Sequence, residues 1–223
     1  NPTRFFRMAD HYDNADRNGS KIYVGEYAVN RGVGHGNLLG ALSEAVFMLD
    51  MEKNSDVVNL CSYAPLFENV NQPNWRVNLI RFDSSRVVGR SSYQVQKLFA
   101  ENRPDVILPT SVEAPEVLLG ETQIKQLYAL AGLDKKSHEV VIKIVNPTAS
   151  PVDSRIDLEG TAKVAGSAKA ITLGNADATA ENTLDDPNVV VPTETKFRVS
   201  GAQFNYHLAP NSLTVLRIPA VSR

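Results

Sequence analysis

Hydrophobic and polar positions follow one pattern over residues 1–105. Short β-branched runs at 22–24 and 56–61 predict two strands. Apolar residues recur at helical spacing after Asn37 and after Ser91–Ser92, which predicts two helices with N-caps at Asn37 and at one of the two serines. The order strand, loop, helix, repeated twice, indicates parallel strands covered by helices. Two such units cannot close a sheet, and they are typical of the end of a (β/α)8 barrel.

Residues 106–223 follow a different pattern, in which short runs of β-branched residues alternate apolar and polar positions between turns. This spacing predicts an antiparallel β-sandwich with one hydrophobic core. The predicted fold class is therefore α/β plus all-β, with the C-terminal part of a (β/α)8 catalytic barrel at 1–105 and a C-terminal β-sandwich at 106–223. The β-rich runs lie at 106–108, 123–125, 140–145, 155–158, 196–199 and 213–218.

Composition narrows the classes of function. The chain has 223 residues, of which 43% are hydrophobic, and a formal net charge of -2. The chain has no excess of basic residues that could bind nucleic acid or an anionic membrane by charge alone. The substrate is therefore expected to be neutral, or to be bound by individual side chains. No stretch approaches the ~20 apolar residues of a membrane span. The histidines lack metal-ligand spacing, so we predict no metal and no cofactor. The single cysteine, Cys61, lies in an apolar run and is expected to be buried.

Candidate functional side chains lie near the predicted strand ends. Glu26 ends a hydrophobic strand, where a carboxylate is costly unless it is paired or solvated. A strand-end salt bridge and a catalytic carboxylate both fit that position. Tyr27 and Tyr63 either touch Glu26 or a sugar, or pack with satisfied hydroxyl groups. Trp75, in a polar loop, either stacks on a sugar face or pins the loop.

A glycine-rich run, Gly32–Gly36, follows the first predicted strand. It lacks the Lys-Ser/Thr pair that completes a phosphate-binding loop. Close approach of the backbone or simple loop flexibility explains the run better.

An ordered series of segments resembles glycoside hydrolase family 51, of the plant and Bacteroides type. Residues 21–29, which read Lys-Ile-Tyr-Val-Gly-Glu-Tyr-Ala-Val, resemble the family's nucleophile strand. Where relatives read Trp-x-Pro-Asp, this chain reads Trp75-Arg76-Val77-Asn78, which leaves a polar group at Asn78. Where relatives read Gly-Thr-Pro-Ser-Tyr, this chain reads Gly89-Arg90-Ser91-Ser92-Tyr93. Further resemblance covers 38–45, 51–56, 62–67, 69–71, Trp75, 82–85, 92–96, 182–187 and 211–216.

The resemblance implies a retaining α-L-arabinofuranosidase that releases terminal α-L-arabinofuranosyl residues from arabinose-containing polysaccharides such as arabinan or arabinoxylan. It places the nucleophile at Glu26, with Tyr27, Tyr63, Trp75 and Asn78 as candidate substrate-binding residues. The family's acid/base glutamate belongs to an Asn-Glu pair, and this sequence contains no such dipeptide. We therefore expect a fragment that is inactive without the missing N-terminal part of the same enzyme. An extracellular or periplasmic location is expected from the resemblance alone.

Two alternatives to a catalytic fragment stay open at this point. The first is a non-catalytic carbohydrate-binding or structural module formed by the sandwich. Residues 106–223 contain no tryptophan and few aromatic residues beyond Tyr128, Phe197, Phe204 and Tyr206, which favours a structural role. The second is an acid/base enzyme of another class on a similar barrel.

A cut barrel would need the rest of the enzyme, or a second copy pairing edge to edge as a homo-oligomer, to cover its strands.

Overall fold

Strands predominate in the computed structural model, which describes residues 1–164 and 166–222. The predicted β-rich C-terminal part is confirmed, whereas the assignment of residues 1–105 to the end of a barrel stays a prediction. The helices are α1 (Pro2–Phe6), α2 (Leu38–Lys53) and α3 (Ser91–Glu101). The strands are β1 (Ile22–Tyr27), β2 (Val58–Tyr63), β3 (Phe67–Asn69), β4 (Ile80–Phe82), β5 (Val87–Gly89), β6 (Val106–Leu108), β7 (Glu116–Leu119), β8 (Thr122–Lys125), β9 (Tyr128–Asp134), β10 (Glu139–Asn146), β11 (Val152–Asp157), β12 (Thr161–Val164), β13 (Gly166–Gly174), β14 (Thr193–Val199), β15 (Gln203–Leu208) and β16 (Ser212–Ser222).

A large antiparallel sheet forms the centre of the chain, with strand order β14-β13-β16-β10-β9-β6 and with β12 also paired to β16. Successive side chains of a strand point to opposite faces of the sheet. In β10, Ile142 and Ile144 therefore join one buried cluster while Val145 joins another. Val215 and Leu216 are adjacent and both fully buried, because both faces of the sheet are covered.

The predicted core between two sheets is present, but a second core lies on the other face of the central sheet. On one face, hereafter the strand face, the β11–β15 ribbon covers the sheet, and Ile156 and Phe204 pack against its cluster. On the opposite face, hereafter the helix face, α2 and α3 cover the sheet, and Leu42 and Phe99 share a cluster with Leu213. The alternating pattern of residues 106–223 does not reveal that helices cover this face, because those helices belong to residues 1–105.

Helix α2 is buried almost all round, from Leu38 to Met51. It lies between the β1–β2 pair and the central sheet, so apolar side chains occur all round it, together with buried Ser43, Glu44 and Asp50. The helix-face cluster includes residues from both sides of the predicted boundary between 105 and 106. The division into two domains stays a prediction.

Strands β1 and β2 are parallel, with Ile22 opposite Val58 and Tyr23 opposite Leu60, which confirms the predicted strand direction. In the ranges that the structure describes, neither strand pairs with a third one. Tyr23 is 60% exposed and Leu60 is 65% exposed. The expectation that Cys61 is buried is wrong, because the described chain leaves this part of β2 uncovered and the thiol is exposed.

The helix starts agree with the sequence only in part. Asn37 caps α2 as predicted, and its Oδ1 accepts a hydrogen bond from the Gly40 amide at 3.0 Å. The N-cap of α3 is Arg90 rather than a serine, and Ser91 and Ser92 lie inside the helix. The reason is that β5 runs directly into α3, with the Arg90 amide still bonded to Leu79 O at 3.0 Å.

The segment between β2 and α3 contains the small sheet β3-β4-β5. Its strands have three residues each, too few to show a periodic pattern. Over the described residues, no helix is long and apolar enough to cross a membrane.

Candidate functional site

Glu26 lies at the carboxyl end of β1, where its side chain is exposed. Parallel strands end at the same edge, so this end of β1 meets Ala64, the residue just after β2. The two form part of the wall of a cavity of about 340 Å³ that Arg4, Tyr12 and Asn30 also line. Within residues 1–164 and 166–222, Glu26 makes no salt bridge, so the strand-end ion pair gains no support.

Tyr27 and Tyr63 lie together at the same end of the strand pair. Their ring centroids are 5.7 Å apart at an interplanar angle of 73°. Tyr27 lines the Glu26 cavity, and its hydroxyl accepts a hydrogen bond from Gln96 Nε2 at 2.7 Å. The Tyr63 hydroxyl donates to Glu44 Oε1 at 3.3 Å. Burial raises the pKa of both phenols well above the usual value, so both stay neutral. Their packing is established, whereas contact with substrate stays a prediction.

Glu44 is a residue that sequence reasoning missed. It lies on α2 with 0% exposure, and its Oε1 accepts the Val29 amide at 2.7 Å as well as the Tyr63 hydroxyl. Burial raises the pKa of this carboxyl to about 7. Glu44 therefore ties the segment after β1 to the end of β2. The available signal was an acidic side chain inside a run of helical apolar residues, where a carboxylate needs partners.

Trp75 and Asn78 lie in the connection between β3 and β4. Trp75 is 65% exposed, whereas Asn78 is 2% exposed. Asn78 Nδ2 donates to Trp75 O at 2.8 Å and to Glu68 Oε2 at 3.3 Å. Neither residue lines the Glu26 cavity. The structure thus brings Glu26, Tyr27 and Tyr63 together and leaves Trp75 and Asn78 apart from them.

The histidines do not gather at one place. The His207 ring lies 2.7 Å from Asp153 Oδ1, the His35 ring lies 3.8 Å from Glu181 Oε2, and His11 contacts the Tyr12 ring. Among the residues that the structure describes, no group of three or more His, Cys, Asp or Glu side chains is placed to hold a metal ion.

Comparison with known proteins identifies the family. The family model described as the C-terminal domain of α-L-arabinofuranosidase matches residues 25–212. The chain belongs to this family. The match begins at Gly25, so it contains Glu26, the two tyrosines and the connection with Trp75 and Asn78.

Curated relatives of this arabinofuranosidase family extend over most of the chain. Alpha-L-arabinofuranosidase 2 of Arabidopsis thaliana is 36% identical over 212 residues, which are 94% of this chain and 30% of that protein. A probable alpha-L-arabinofuranosidase A of Aspergillus terreus is 30% identical over 217 residues, which are 96% of this chain and 32% of that protein. The chain thus spans about a third of the length of these relatives.

A solved structure shows the same arrangement of elements. It is an arabinose-bound α-L-arabinofuranosidase of glycoside hydrolase family 51, 29% identical to this chain with a TM-score of 0.84. The similarity covers 98% of this chain and 35% of that one. The resemblance to the C-terminal part of family 51 arabinofuranosidases, predicted from the sequence, is therefore confirmed.

Proposed function

We propose that this chain is the part of a retaining α-L-arabinofuranosidase that supplies the nucleophile, Glu26. The substrate is a terminal α-L-arabinofuranosyl residue on an arabinose-containing polysaccharide. The observation that carries this proposal is the exposed Glu26 carboxylate at the carboxyl end of a parallel strand, lining a cavity with Tyr27. Catalytic groups of parallel α/β barrels lie at that end of the strands.

The chemistry of a retaining glycosidase explains why one carboxylate is needed in this position. The nucleophile attacks the anomeric carbon and forms a glycosyl-enzyme, while a second carboxyl group protonates the leaving oxygen from about 5 Å away. Water then releases the sugar, with the second group acting as base. Glu26 is exposed, so its side chain is accessible to a substrate.

The second carboxyl group is proposed to come from another part of the enzyme. The family's acid/base glutamate follows an asparagine, and this sequence has no Asn-Glu dipeptide. The chain alone is therefore expected to hydrolyse no glycoside. A barrel built around β1 and β2 would also cover Tyr23 and Leu60, which are exposed in the described chain.

A non-catalytic carbohydrate-binding module is the alternative from a different class. Such modules need aromatic side chains on the surface, but Phe197, Phe204 and Tyr206 pack against the strand-face cluster. Tyr128 is 7% exposed in the helix-face cluster. This packing supports a structural role for residues 106–222. Titration of the chain with arabino-oligosaccharides, followed by NMR, should leave the amide signals of these residues unchanged.

Covalent trapping tests the proposal directly. Full-length enzyme containing this chain is incubated with a mechanism-based arabinofuranosyl inhibitor, digested, and mapped by mass spectrometry. The proposal expects the sugar on Glu26, and NMR of the first product should show retained configuration. A sugar on another carboxylate, or an inverted product, would remove Glu26 from this role.

A further inference from the structure

The connection between β13 and β14, residues 175–192 and hereafter the 175–192 loop, contains no helix or strand but is well organised. Asn182 is fully buried within it, where its Oδ1 accepts the Val190 amide at 2.7 Å and its Nδ2 donates to Val190 O at 2.9 Å. Long connections without secondary structure inside a compact domain usually have a function. The chemistry proposed above uses none of its residues.

Glu181 of this loop contacts the segment that follows the Glu26 strand. Its Oε1 accepts a hydrogen bond from the His35 amide at 2.9 Å. Its Oε2 accepts one from Arg90 Nη2, also at 2.9 Å. One carboxylate therefore joins the glycine-rich run after β1 to Arg90, the N-cap of α3.

The same loop also holds the start of α2. The Leu38 amide donates to Ala180 O at 3.0 Å, and the Leu39 amide donates to Ala178 O at 2.9 Å. The first amides of a helix have no partner inside it and must find one elsewhere. The 175–192 loop supplies those partners for α2, which begins shortly after the glycine-rich run.

Two glycines of this run lie close to the side chains of Glu181 and Arg90. Gly34 has φ +58°, and a Cβ added there would lie 2.0 Å from Glu181 Oε1. Gly36 has φ +116°, and a Cβ added there would lie 3.3 Å from Arg90 Nε. Any side chain at Gly34 would displace the Glu181 carboxylate, so close approach explains the glycine there without a phosphate ligand.

The charge on Arg90 makes Glu181 hard to replace. Arg90 is 0% exposed, and among the described residues its Nε and Nη1 have no hydrogen-bond partner. A guanidinium group stays protonated even when buried. A buried charge that loses its counter-charge is strongly destabilising, so without Glu181 the surroundings of Arg90 are expected to open to water.

We propose that Glu181 is a positioning residue for the reaction assigned to Glu26, an inference that rests on the proposed function. Ala28 and Asn30 line the cavity with Glu26 and lie in the same connection as the glycine-rich run. Val29 lies between Ala28 and Asn30, and Val33 follows them. Both valines are buried against Val77. By holding the His35 amide against Arg90, Glu181 fixes the far end of this cavity wall, next to the start of α2 that Ala178 and Ala180 of the same loop hold.

The first test measures turnover in the full-length enzyme for Glu181→Ala, Glu181→Gln and the control Glu194→Ala. Glu194 is on β14 in an exposed ion pair with Lys169. On an aryl α-L-arabinofuranoside, with active sites counted by covalent trapping, Glu181→Ala should lower kcat by about 10-fold or more, with KM changed by less than about 2-fold. The kcat of Glu181→Gln should lie between those of the wild type and Glu181→Ala, because glutamine keeps an acceptor for the His35 amide. The kcat of Glu194→Ala should match that of the wild type.

The second test measures amide hydrogen exchange over residues 32–40 in the same variants and does not depend on catalysis. Exchange should accelerate by about 10-fold or more in Glu181→Ala and stay unchanged in Glu194→Ala. Wild-type kcat in Glu181→Ala, or lost kcat with unchanged exchange, overturns the inference. If Glu181→Ala does not fold, Glu181→Gln carries both readouts. Activity in Glu26→Ala would instead contradict the proposed function. Hydrogen exchange over residues 32–40 would then still show whether Glu181 holds this segment.

Discussion

The ammonium group of Lys143, in β10, lies 2.5 and 2.6 Å from the two carboxylate oxygens of Glu52, near the end of α2. The side chains are 1% and 14% exposed. Lys143 Nζ also lies 4.5 Å from the centroid of the Phe99 ring on α3. A charged side chain of β10 that points to the helix face is thus matched by an opposite charge on the helix that covers it.

Removing one partner of this pair should cost much more stability than removing one partner of an exposed pair. Glu52→Ala leaves the Lys143 charge buried and is expected to lower the free energy of unfolding by about 3–5 kcal/mol. Glu194→Ala breaks the exposed pair with Lys169 and should cost less than about 1 kcal/mol. Urea denaturation measures both, and equal costs would contradict the role given to the buried pair.

The carboxyl of Glu44 should make the chain less stable as the pH rises. Its pKa is raised by burial from 4.5 to about 7. A raised folded-state pKa means that the stabilisation is complete below about pH 4.5 and is lost as the pH rises towards 7. The loss should be of the order of 3 kcal/mol, and Glu44→Gln should remove this part of the slope. Urea denaturation from pH 4.5 to 8 checks it, and an unchanged slope in Glu44→Gln would contradict it.

Local sequence patterns predicted the elements that depend on local signals. Asn37 caps α2 because its amide oxygen reaches the Gly40 amide, an interaction within four residues. The start of α3 was misassigned because it depends on the bond from Arg90 to Leu79 in the adjoining β-ladder. Short strands such as β3–β5 leave no periodic signal. The second cover of the central sheet depends on contacts between distant segments, which no local pattern contains.

Alanine at Gly34 should destabilise the chain more than alanine at Gly32. Both glycines have positive φ, +58° at Gly34 and +74° at Gly32, so both variants carry the left-handed backbone cost of about 1 kcal/mol. Only at Gly34 does the new Cβ meet Glu181, since Gly32 has no atom within 4 Å. Gly34→Ala should therefore have the lower thermal midpoint. Equal midpoints in the two variants would mean that Glu181 moves aside freely.

Trp75 should contribute to substrate binding without contributing to the fold. Its side chain is 65% exposed, and the hydrogen bond from Asn78 reaches its carbonyl rather than its ring. In the full-length enzyme, Trp75→Ala should raise KM for an arabino-oligosaccharide several-fold with kcat little changed, and should alter stability by less than about 0.5 kcal/mol. Steady-state kinetics with a thermal melt tests this. An unchanged KM would leave the indole ring without a role in binding.

The candidate site was predictable where a family motif coincides with a strand end. Glu26 and Tyr27 follow from the position of Gly25-Glu26-Tyr27 at the end of β1. Glu44 and Glu181 did not follow, because their partners are 15 and 146 residues away in sequence. Nothing near Glu181 in the sequence indicates that its carboxylate meets the His35 amide.

The most direct measurement of the central claim is the turnover of Glu26→Ala in the full-length enzyme on an aryl α-L-arabinofuranoside. Glu121→Ala, an exposed glutamate in the turn between β7 and β8, is the matched control. The account predicts that Glu26→Ala lowers kcat by at least about 10⁴-fold with an unchanged thermal midpoint, and that azide restores turnover as a surrogate nucleophile. Turnover near that of the wild type in Glu26→Ala would contradict it.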